Sequence, residues 1–300
     1  MSRNRYISSA LLLLLTAVMG LAGCGEQSAM PEENSVYYWR TEWRLDSVER
    51  QFLAQYDIKK VYCRYFDVVA QTDAVTGRVE EPMPNATISF AEPVEAALDI
   101  VPTVYITENC MHQPHERLAE RIVQRIVQMN ETNDIGGVRE IQIDCDYTGR
   151  SRKTYYAFLE QVRTAAREHG MRLSTTIRLH QLTMPAPPAD YGVLMLYNTG
   201  DPRKFDERNP ILDQRDVMPY VKGLKDYDLP LAAAYPVFLW QRDVYGVHVE
   251  HWVQPDEILR VKAAVEERRP ELRRTILTYH LDKENINRYQ SKTYEAIYHH

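Results

Sequence analysis

Apolar segments with strand-like and helix-like spacing alternate along the chain from about residue 36 to its end. Runs typical of buried strands lie near residues 36, 61, 101, 138, 172, 191, 230 and 275. Apolar residues recur at helical spacing in the segments 41–56, 115–130, 151–169, 213–225, 255–267 and 283–298. Such alternation predicts a parallel sheet that is covered by helices.

The number and length of these units favour a closed (β/α)₈ barrel of the TIM type. Eight units in about 265 residues match a fold that typically takes roughly 250 residues. The alternative is an open, doubly wound sheet, but no G-x-G-x-x-G motif follows a predicted strand, so its dinucleotide-binding form has no support. We predict one barrel domain over residues 36–300. The Gly- and Pro-containing segment 70–100 is predicted to be an insertion with an extra strand at 86–90.

The first 23 residues have the pattern of a secretory signal peptide. Two Arg residues precede an apolar stretch from Leu11 to about Leu21, and the segment is too short for a mature transmembrane helix. The ending Leu-Ala-Gly-Cys resembles the lipobox of bacterial lipoproteins, which implies that Cys24 carries a lipid such as palmitate. The polar residues 24–35 would then tether the domain to a membrane of the cell envelope, the outer membrane being favoured over the inner.

Composition excludes some partners and favours others. The formal net charge is −6 and the basic residues are scattered, so the electrostatic pattern of a nucleic-acid-binding protein is absent. The chain has 20 Tyr against 6 Phe, and Tyr can both stack on an apolar face and donate a hydrogen bond. Carbohydrate surfaces need that combination, so the expected ligand is a glycan or another polar small molecule.

Cysteine usage gives no sign of a disulfide or a structural metal. Besides Cys24, the chain contains Cys63, Cys110 and Cys145, and two of these lie within apolar strand-like runs. They are therefore interpreted as small buried side chains. No Cys/His cluster has the spacing of a zinc site, and we predict neither a metal nor a cofactor.

The fourth predicted strand carries two carboxylates where a buried strand would carry none. In an extended chain Asp144 and Asp146 point to one face, whereas Ile141 and Ile143 point to the other. Ionised carboxylates on a buried face need cations, hydrogen-bond donors or water nearby. The pattern therefore predicts a functional site at this strand end. The alternative is that Asp146 caps the next helix and Asp144 joins a structural ion pair.

In a barrel, side chains at the carboxyl ends of different strands face one pocket. We predict Asp144 and Asp146 as catalytic residues. The residues predicted to bind substrate come from the other strand ends: Arg64, Arg178, His180, Tyr197, Asn198, Tyr235 and Tyr279. The two Arg residues are suited to forked hydrogen bonds with carboxylates, and His180 to acid/base work. The simpler alternative is a structural His180, an Arg178 that is only the counterion of Asp144, and Tyr residues in the core.

Three segments, IQIDCDYT, YYAFLEQVR and LSTTIRLHQL, resemble those of bacterial lipoproteins whose barrels are similar to glycoside hydrolases. The carboxylate strand is loosely similar to that of chitinase-like family 18 glycosidases, in which a D-x-D-x-E pattern ends the fourth strand. The resemblance covers most of the chain after residue 36 and implies a TIM barrel and a glycan substrate. Asp144 and Asp146 match the pattern, but Thr148 stands where the family has its acid Glu.

Three functions remain open at this stage. The first is a lipid-anchored glycoside hydrolase with Asp146 as acid/base and Asp144 as the group that orients or stabilises charge, or with Asp243 recruited as a further carboxylate. The second is a non-catalytic glycan-binding or envelope-assembly lipoprotein that lacks the acid. The third is a metal-dependent hydrolase that uses Asp144, Asp146 and His180.

Overall fold

A computed structural model describes residues 30–73, 75–76, 79–201, 208–244 and 247–299. The predicted signal peptide, Cys24 and the first part of the predicted tether lie outside these residues. Among the described residues, no helix is both long enough and apolar enough to cross a membrane.

Eight parallel strands form a closed ring. They are β1 Glu33–Tyr38, β2 Lys60–Val69, β3 Asp99–Ile106, β4 Glu140–Asp144, β5 Arg172–Arg178, β6 Tyr191–Met195, β7 Leu231–Pro236 and β8 Thr275–Tyr279. Each strand pairs with the next in chain order, and β8 pairs with β1 to close the barrel. The predicted (β/α)₈ TIM barrel is confirmed. Strand β1 begins at Glu33, slightly before the predicted boundary at residue 36.

Helices surround the ring. They are α1 Ser47–Gln55, α2 Leu118–Thr132, α3 Arg152–Glu168, α4 Gln214–Val217, α5 Pro255–Arg268, α6 Lys283–Arg288 and α7 Ser291–Ile297. The predicted helix 213–225 consists of the short α4 and a 3₁₀ turn, Val221–Asp226. The predicted closing helix 283–298 is divided into α6 and α7 because Tyr289 adopts an extended conformation between them.

Two helix ends show how local sequence produces these boundaries. Helix α1 begins with a capping box, in which the Asp46 side chain accepts from the Glu49 backbone N–H and the Glu49 side chain accepts from the Asp46 N–H. Helix α3 ends before Gly170, whose φ of 71° is in the left-handed region that glycine tolerates best. The end of the predicted helical segment 151–169 is confirmed.

Short strands outside the ring enlarge its carboxyl-terminal rim. After β2, the strand Met83–Asn85 adds antiparallel to β2, and Ser89–Phe90 pairs with Glu42–Trp43. After β7, the antiparallel hairpin of Leu239–Val244 and Val247–Trp252 extends the chain. The sequence predicted one extra strand at 86–90 and no hairpin. These additions follow the carboxyl ends of strands, so they surround the face at which barrel sites are found.

Inward-facing side chains of the barrel are largely polar, whereas the outward face of the strands is apolar. The Tyr37 hydroxyl on β1 donates across the barrel to the Gln142 side chain on β4, with a donor–acceptor distance of 2.8 Å. Ile141 and Ile143 on the other face of β4 are fully buried. The predicted division of this strand into one polar and one apolar face is therefore confirmed.

Candidate functional site

A cavity of about 580 Å³ opens at the carboxyl-terminal end of the barrel. Its lining includes seven of the nine side chains that the sequence predicted for the site: Arg64, Asp144, Asp146, Arg178, Tyr197, Asn198 and Tyr279. They come from five strands or strand ends, so the barrel gathers residues that are far apart in the chain. Their roles in catalysis or binding remain predictions.

One guanidinium group bridges the two aspartates. Arg178 donates from Nη2 to Asp144 Oδ1 at 3.1 Å and from Nε to Asp146 Oδ1. Asp144 also accepts a hydrogen bond of 2.6 Å from the Thr176 hydroxyl. The Asp144 side chain is 5% exposed and that of Asp146 is 49% exposed. Two neighbouring carboxylates thus have different environments, one buried and one open to the cavity.

Strand geometry explains this difference. Asp144 is the last residue of β4 and keeps the inward orientation of the strand, whereas Asp146 lies on the loop that follows. That loop is held by Gln181, whose side-chain amide donates to the backbone carbonyls of Cys145 at 3.3 Å and Tyr147 at 3.0 Å. Asp146 is therefore presented to the cavity by a fixed loop rather than by the strand itself.

The surroundings of Asp144 raise its pKa, so this carboxyl group holds its proton more tightly than usual. Burial raises the pKa of Asp144 above its ordinary value, and the nearby charge of Asp146 raises it further, while Arg178 and the Thr176 hydrogen bond act in the opposite direction. Burial alone would lower the pKa of Arg178, but the two carboxylates raise it more. Arg178 is therefore a permanent cation between two acids.

A second ion pair lines the cavity and includes a residue that the alternation of side chains did not predict. Arg64 donates from Nε to Asp67 Oδ1 at 2.8 Å. The pairing of β2 with β3 shifts register between Arg64 and Phe66, as in a β-bulge. Phe66 instead lies under Arg125 of α2, with 5.1 Å between the guanidinium carbon and the ring centroid. An acid close to a strand end was the only sequence signal for Asp67.

Aromatic side chains form a continuous wall of the cavity. The ring of Tyr279 lies 4.8 Å from Tyr197, 5.7 Å from Trp39 and 5.4 Å from Phe238, measured between centroids. Trp240, on the hairpin after β7, extends the wall with its ring 6.3 Å from Phe238. Tyr197 and Tyr279 were predicted at this site from the sequence. Trp39 was not predicted and follows β1, and no sequence pattern placed the hairpin at the rim.

Two predicted site residues do not line this cavity. Tyr235 is fully buried, and it lies close enough to Glu266 of α5 for the charge of that residue to act on its hydroxyl group. The Tyr235 side chain is therefore on the helix-facing side of β7. His180 lies in an adjoining depression of about 270 Å³ that also contacts Asp146 and Arg178. Strand β5 ends at Arg178 and the chain continues as the 3₁₀ turn Leu179–Thr183, which ends the alternation that had placed His180 inward. Its Nε2 lies 3.2 Å from the Tyr147 carbonyl oxygen.

Thr148, at the position of the missing acid Glu, makes hydrogen bonds in the loop just before helix α3 begins. Its hydroxyl donates to Glu108 Oε1 at 2.6 Å and accepts from the Arg150 N–H at 3.2 Å. The Ser151 hydroxyl donates to the same Glu108 oxygen at 2.8 Å. Burial raises the pKa of Glu108, but these hydroxyls and other contacts lower it below its ordinary value. Glu108 is therefore an ionised acceptor for these two hydroxyl groups and not a proton donor.

Within the described residues, no group of three or more His, Cys, Asp or Glu side chains has the arrangement of a metal site. Asp144, Asp146 and His180 thus do not form the ligand set that the third function would need. Asp243 lies on the hairpin strand Leu239–Val244, and its side chain is outside the part of the chain that the structure describes. Cys63 and Cys145 are free and buried, as expected, and Cys110 is free and buried as well.

Two buried nitrogen atoms of the cavity lining have no hydrogen-bond partner among the described residues. They are Nη1 of Arg178 and Nδ1 of His280. Burial lowers the pKa of His280, so its ring is neutral at neutral pH. Because buried polar atoms are nearly always paired, these two atoms show that hydrogen bonding beside the cavity is incomplete.

Solved structures with the same fold include enzymes that act on glycans. A chitinase from Bacteroides thetaiotaomicron aligns with 10% identity over 89% of this chain and 96% of its own, with a TM-score of 0.57. A chitinase from Chromobacterium violaceum aligns with 13% identity over 87% of this chain and 97% of its own, with a TM-score of 0.53. The spore cortex-lytic enzyme SleL from Bacillus megaterium aligns with 12% identity over 85% of this chain and 71% of its own, with a TM-score of 0.50. No protein-family model matches the sequence, and neither does any curated protein. The fold is therefore a glycoside-hydrolase-like TIM barrel.

Proposed function

We propose that this protein binds a glycan in the cavity at the carboxyl-terminal end of its barrel. The observation that carries the proposal is the aromatic wall of Trp39, Tyr197, Tyr279 and Phe238 beside charged groups that can hydrogen-bond. Sugar rings have apolar faces that stack on aromatic rings and hydroxyl groups that need polar partners. Chitinases and a spore cortex-lytic enzyme share the fold, which supports a glycan as the ligand.

The ion pairs of the cavity favour a protein that binds a glycan without hydrolysing it. Asp67, Asp144 and Asp146 are each bonded to an Arg side chain, so one oxygen of each carboxyl group already has a partner within the protein. Thr148 contributes no proton donor. A glycosidase that uses two carboxyl groups needs one of them protonated to assist the leaving group.

Hydrolysis is the second candidate, and the unequal environments of Asp144 and Asp146 favour it. Burial raises the pKa of Asp144, while Asp146 is open to the cavity. A carboxyl group in a dry setting beside one in a polar, partly solvated setting is typical of acid/base pairs. In a hydrolase of this kind, Asp146 contacts the substrate as the acid/base. Asp144 orients Asp146 and balances its charge through Arg178.

Parallel assays of binding and turnover distinguish a glycan-binding protein from a hydrolase. Purified protein is titrated calorimetrically with oligosaccharides of chitin, deacetylated chitin, peptidoglycan and cellulose, and the same mixtures are assayed for new reducing ends. Binding without new reducing ends supports a binding protein, whereas turnover that Asp146→Asn abolishes supports a hydrolase. Glu160→Gln, an exposed position on α3, is the control and leaves both signals unchanged. Absence of binding to every glycan would overturn the proposal.

We also propose that lipid on Cys24 anchors the protein to a membrane of the bacterial envelope, with the cavity facing away from it. The chain enters the barrel next to the start of β8, where Arg274 Nε donates to the Met30 carbonyl at 2.6 Å and the Thr275 hydroxyl donates to the Pro31 carbonyl at 2.7 Å. This is the end of the barrel opposite the cavity. Six residues of extended chain reach roughly 20 Å, so a tether from Cys24 would hold this end close to the membrane.

Metabolic labelling with a palmitate analogue and cell fractionation test the anchor. The wild-type protein is expected to be labelled and to sediment with outer membranes. Cys24→Ser is expected to lose the label and to appear in the soluble fraction. A soluble, unlabelled wild-type protein would contradict the anchor but would leave the glycan proposal untouched.

A further inference from the structure

We infer that the glycan carries free amino groups, so that the cavity takes a cationic amino-sugar polymer rather than a neutral or acidic one. This inference rests on the proposed function, because it concerns the glycan that the same cavity would bind. It is carried by an excess of carboxylates around the cavity, by their positions, and by the aromatic wall beside them.

The cavity lining has more acids than cations. Its carboxylates are Asp67, Asp144, Asp146, Asp282 and Glu284, and its guanidinium groups are Arg64, Arg178 and Arg288. His280 adds no positive charge at neutral pH, because burial lowers its pKa. Five acids against three cations leave two negative charges. A cleft with low-dielectric walls concentrates such a field on whatever enters it.

At the strand ends, the excess of negative charge is located at Asp146. Arg64 pairs with Asp67 alone, which is a balanced pair, but Arg178 serves both Asp144 and Asp146. Asp146 uses one oxygen for Arg178, and its other oxygen has no hydrogen-bond partner among the described residues. Because its side chain is 49% exposed, that oxygen is open to a ligand. One cation is missing at this position.

On the opposite rim, α6 supplies the second unbalanced charge. Asp282 caps this helix by accepting from the Glu284 N–H at 2.8 Å, and the Glu284 side chain is exposed. Arg288 donates from Nη1 to Asn285 Oδ1 at 3.0 Å rather than to either acid. The carboxylates of α6 therefore add negative potential beside the wall without a cation bonded to them.

A protonated amine on a sugar ring matches this arrangement. With the ring stacked on the aromatic wall, an ammonium group at its edge donates charge-assisted hydrogen bonds to Asp146. An N-acetyl group has no charge to offset the carboxylates. The carboxylate of an acidic sugar would be repelled by them.

Matched oligosaccharides test the inference directly. Oligomers of glucosamine and of N-acetylglucosamine, equal in length, are titrated into the wild-type protein at low and high salt, with an oligoglucuronate as the acidic comparison. We expect the glucosamine oligomer to bind at least about tenfold more tightly at low salt, with a preference that shrinks as salt screens the charges. Asp146→Asn should reduce the preference several-fold, whereas Glu160→Gln should leave it unchanged.

The outcomes distinguish the inference from the proposal on which it rests. Equal or tighter binding of the acetylated or acidic oligomer overturns the inference but leaves a glycan-binding protein. If no oligosaccharide binds, the proposed function fails and the inference fails with it. Should Asp146→Asn not fold, the order of affinities of the wild-type protein and their salt dependence decide the question without the variant.

Discussion

Two networks of buried charge lie inside the same barrel, one near each end. The lower network joins Lys60 to Glu33 at 2.9 Å and to Glu140 at 3.2 Å. Glu140 is 2% exposed, and its oxygens also accept from the Ser174 hydroxyl at 2.7 Å and from the Tyr191 hydroxyl. The upper network consists of Arg178, Asp144, Asp146 and Thr176 and opens into the cavity.

The difference between them lies in how completely charges and hydrogen bonds are satisfied. In the lower network, Lys60 and Arg172 face Glu33 and Glu140, so cations and acids are equal in number. In the upper network, one cation faces two acids, and Nη1 of Arg178 has no partner. A saturated network stabilises the fold, whereas an unsaturated one at an open cavity leaves groups for a ligand. Barrel ends generally divide stability and function in this way.

The largest effect is expected from breaking the lower network. Lys60→Met leaves Glu140 deeply buried without its Lys partner, so the free energy of unfolding should fall by about 3 kcal/mol, as measured by urea denaturation. Lys59→Met is the matched control, because Lys59 pairs with Asp57 on the surface and its side chain is 69% exposed. Glycan affinity of folded Lys60→Met should not change. Equal stability of the two variants would contradict the comparison.

Breaking the upper network should cost less stability but should remove glycan binding. Arg178→Met leaves Asp144 with the Thr176 hydrogen bond and adjacent cavity water, so we expect a loss of about 2 kcal/mol at pH 7. Without the guanidinium, the pKa of Asp144 in the folded state rises further. The loss therefore grows as pH rises from the ordinary pKa of an aspartate, about 4, to the raised pKa of the folded variant, and it disappears below about pH 3, where the carboxyl is protonated in both states. A loss that is independent of pH would argue against the bridge.

The aromatic wall can be tested separately from the charges. Trp39→Ala should weaken glycan binding about tenfold, or about 1.4 kcal/mol, with the protein still folded. Trp252→Ala is the control, because Trp252 packs on Tyr289 with ring centroids 5.8 Å apart and does not line the cavity. Titration calorimetry measures both. A similar loss in the two variants would show that the wall has no special part in binding.

The smallest effect concerns a hydroxyl group outside both networks. The Tyr235 hydroxyl is buried and has no partner among the described residues, so Tyr235→Phe should raise the free energy of unfolding by roughly 1 kcal/mol and leave glycan affinity unchanged. Tyr191→Phe, which removes a hydrogen bond to Glu140, should lower it. Weaker glycan binding by Tyr235→Phe would restore the role that the sequence predicted for Tyr235.

Side-chain alternation predicted the upper network better than its surroundings. Asp144 and Arg178 were predicted to share one pocket because each lies on a regular strand, where the period of two holds. Asp67 was missed because a bulge in β2 interrupts that period. His180 was placed inward because the sequence gave no sign that β5 ends at Arg178.

Taken alone, the sequence determined the (β/α)₈ fold and the polar inner face of its strands, because both depend on local periodicity that each segment carries within itself. Only the tertiary structure decided that Arg178 bridges both aspartates, that Thr148 donates a hydrogen bond to Glu108, and that the rim after β7 and β8 completes the cavity. These contacts join residues that are distant in the chain. Their geometry follows from the closure of the barrel and the path of its loops, which no local pattern encodes.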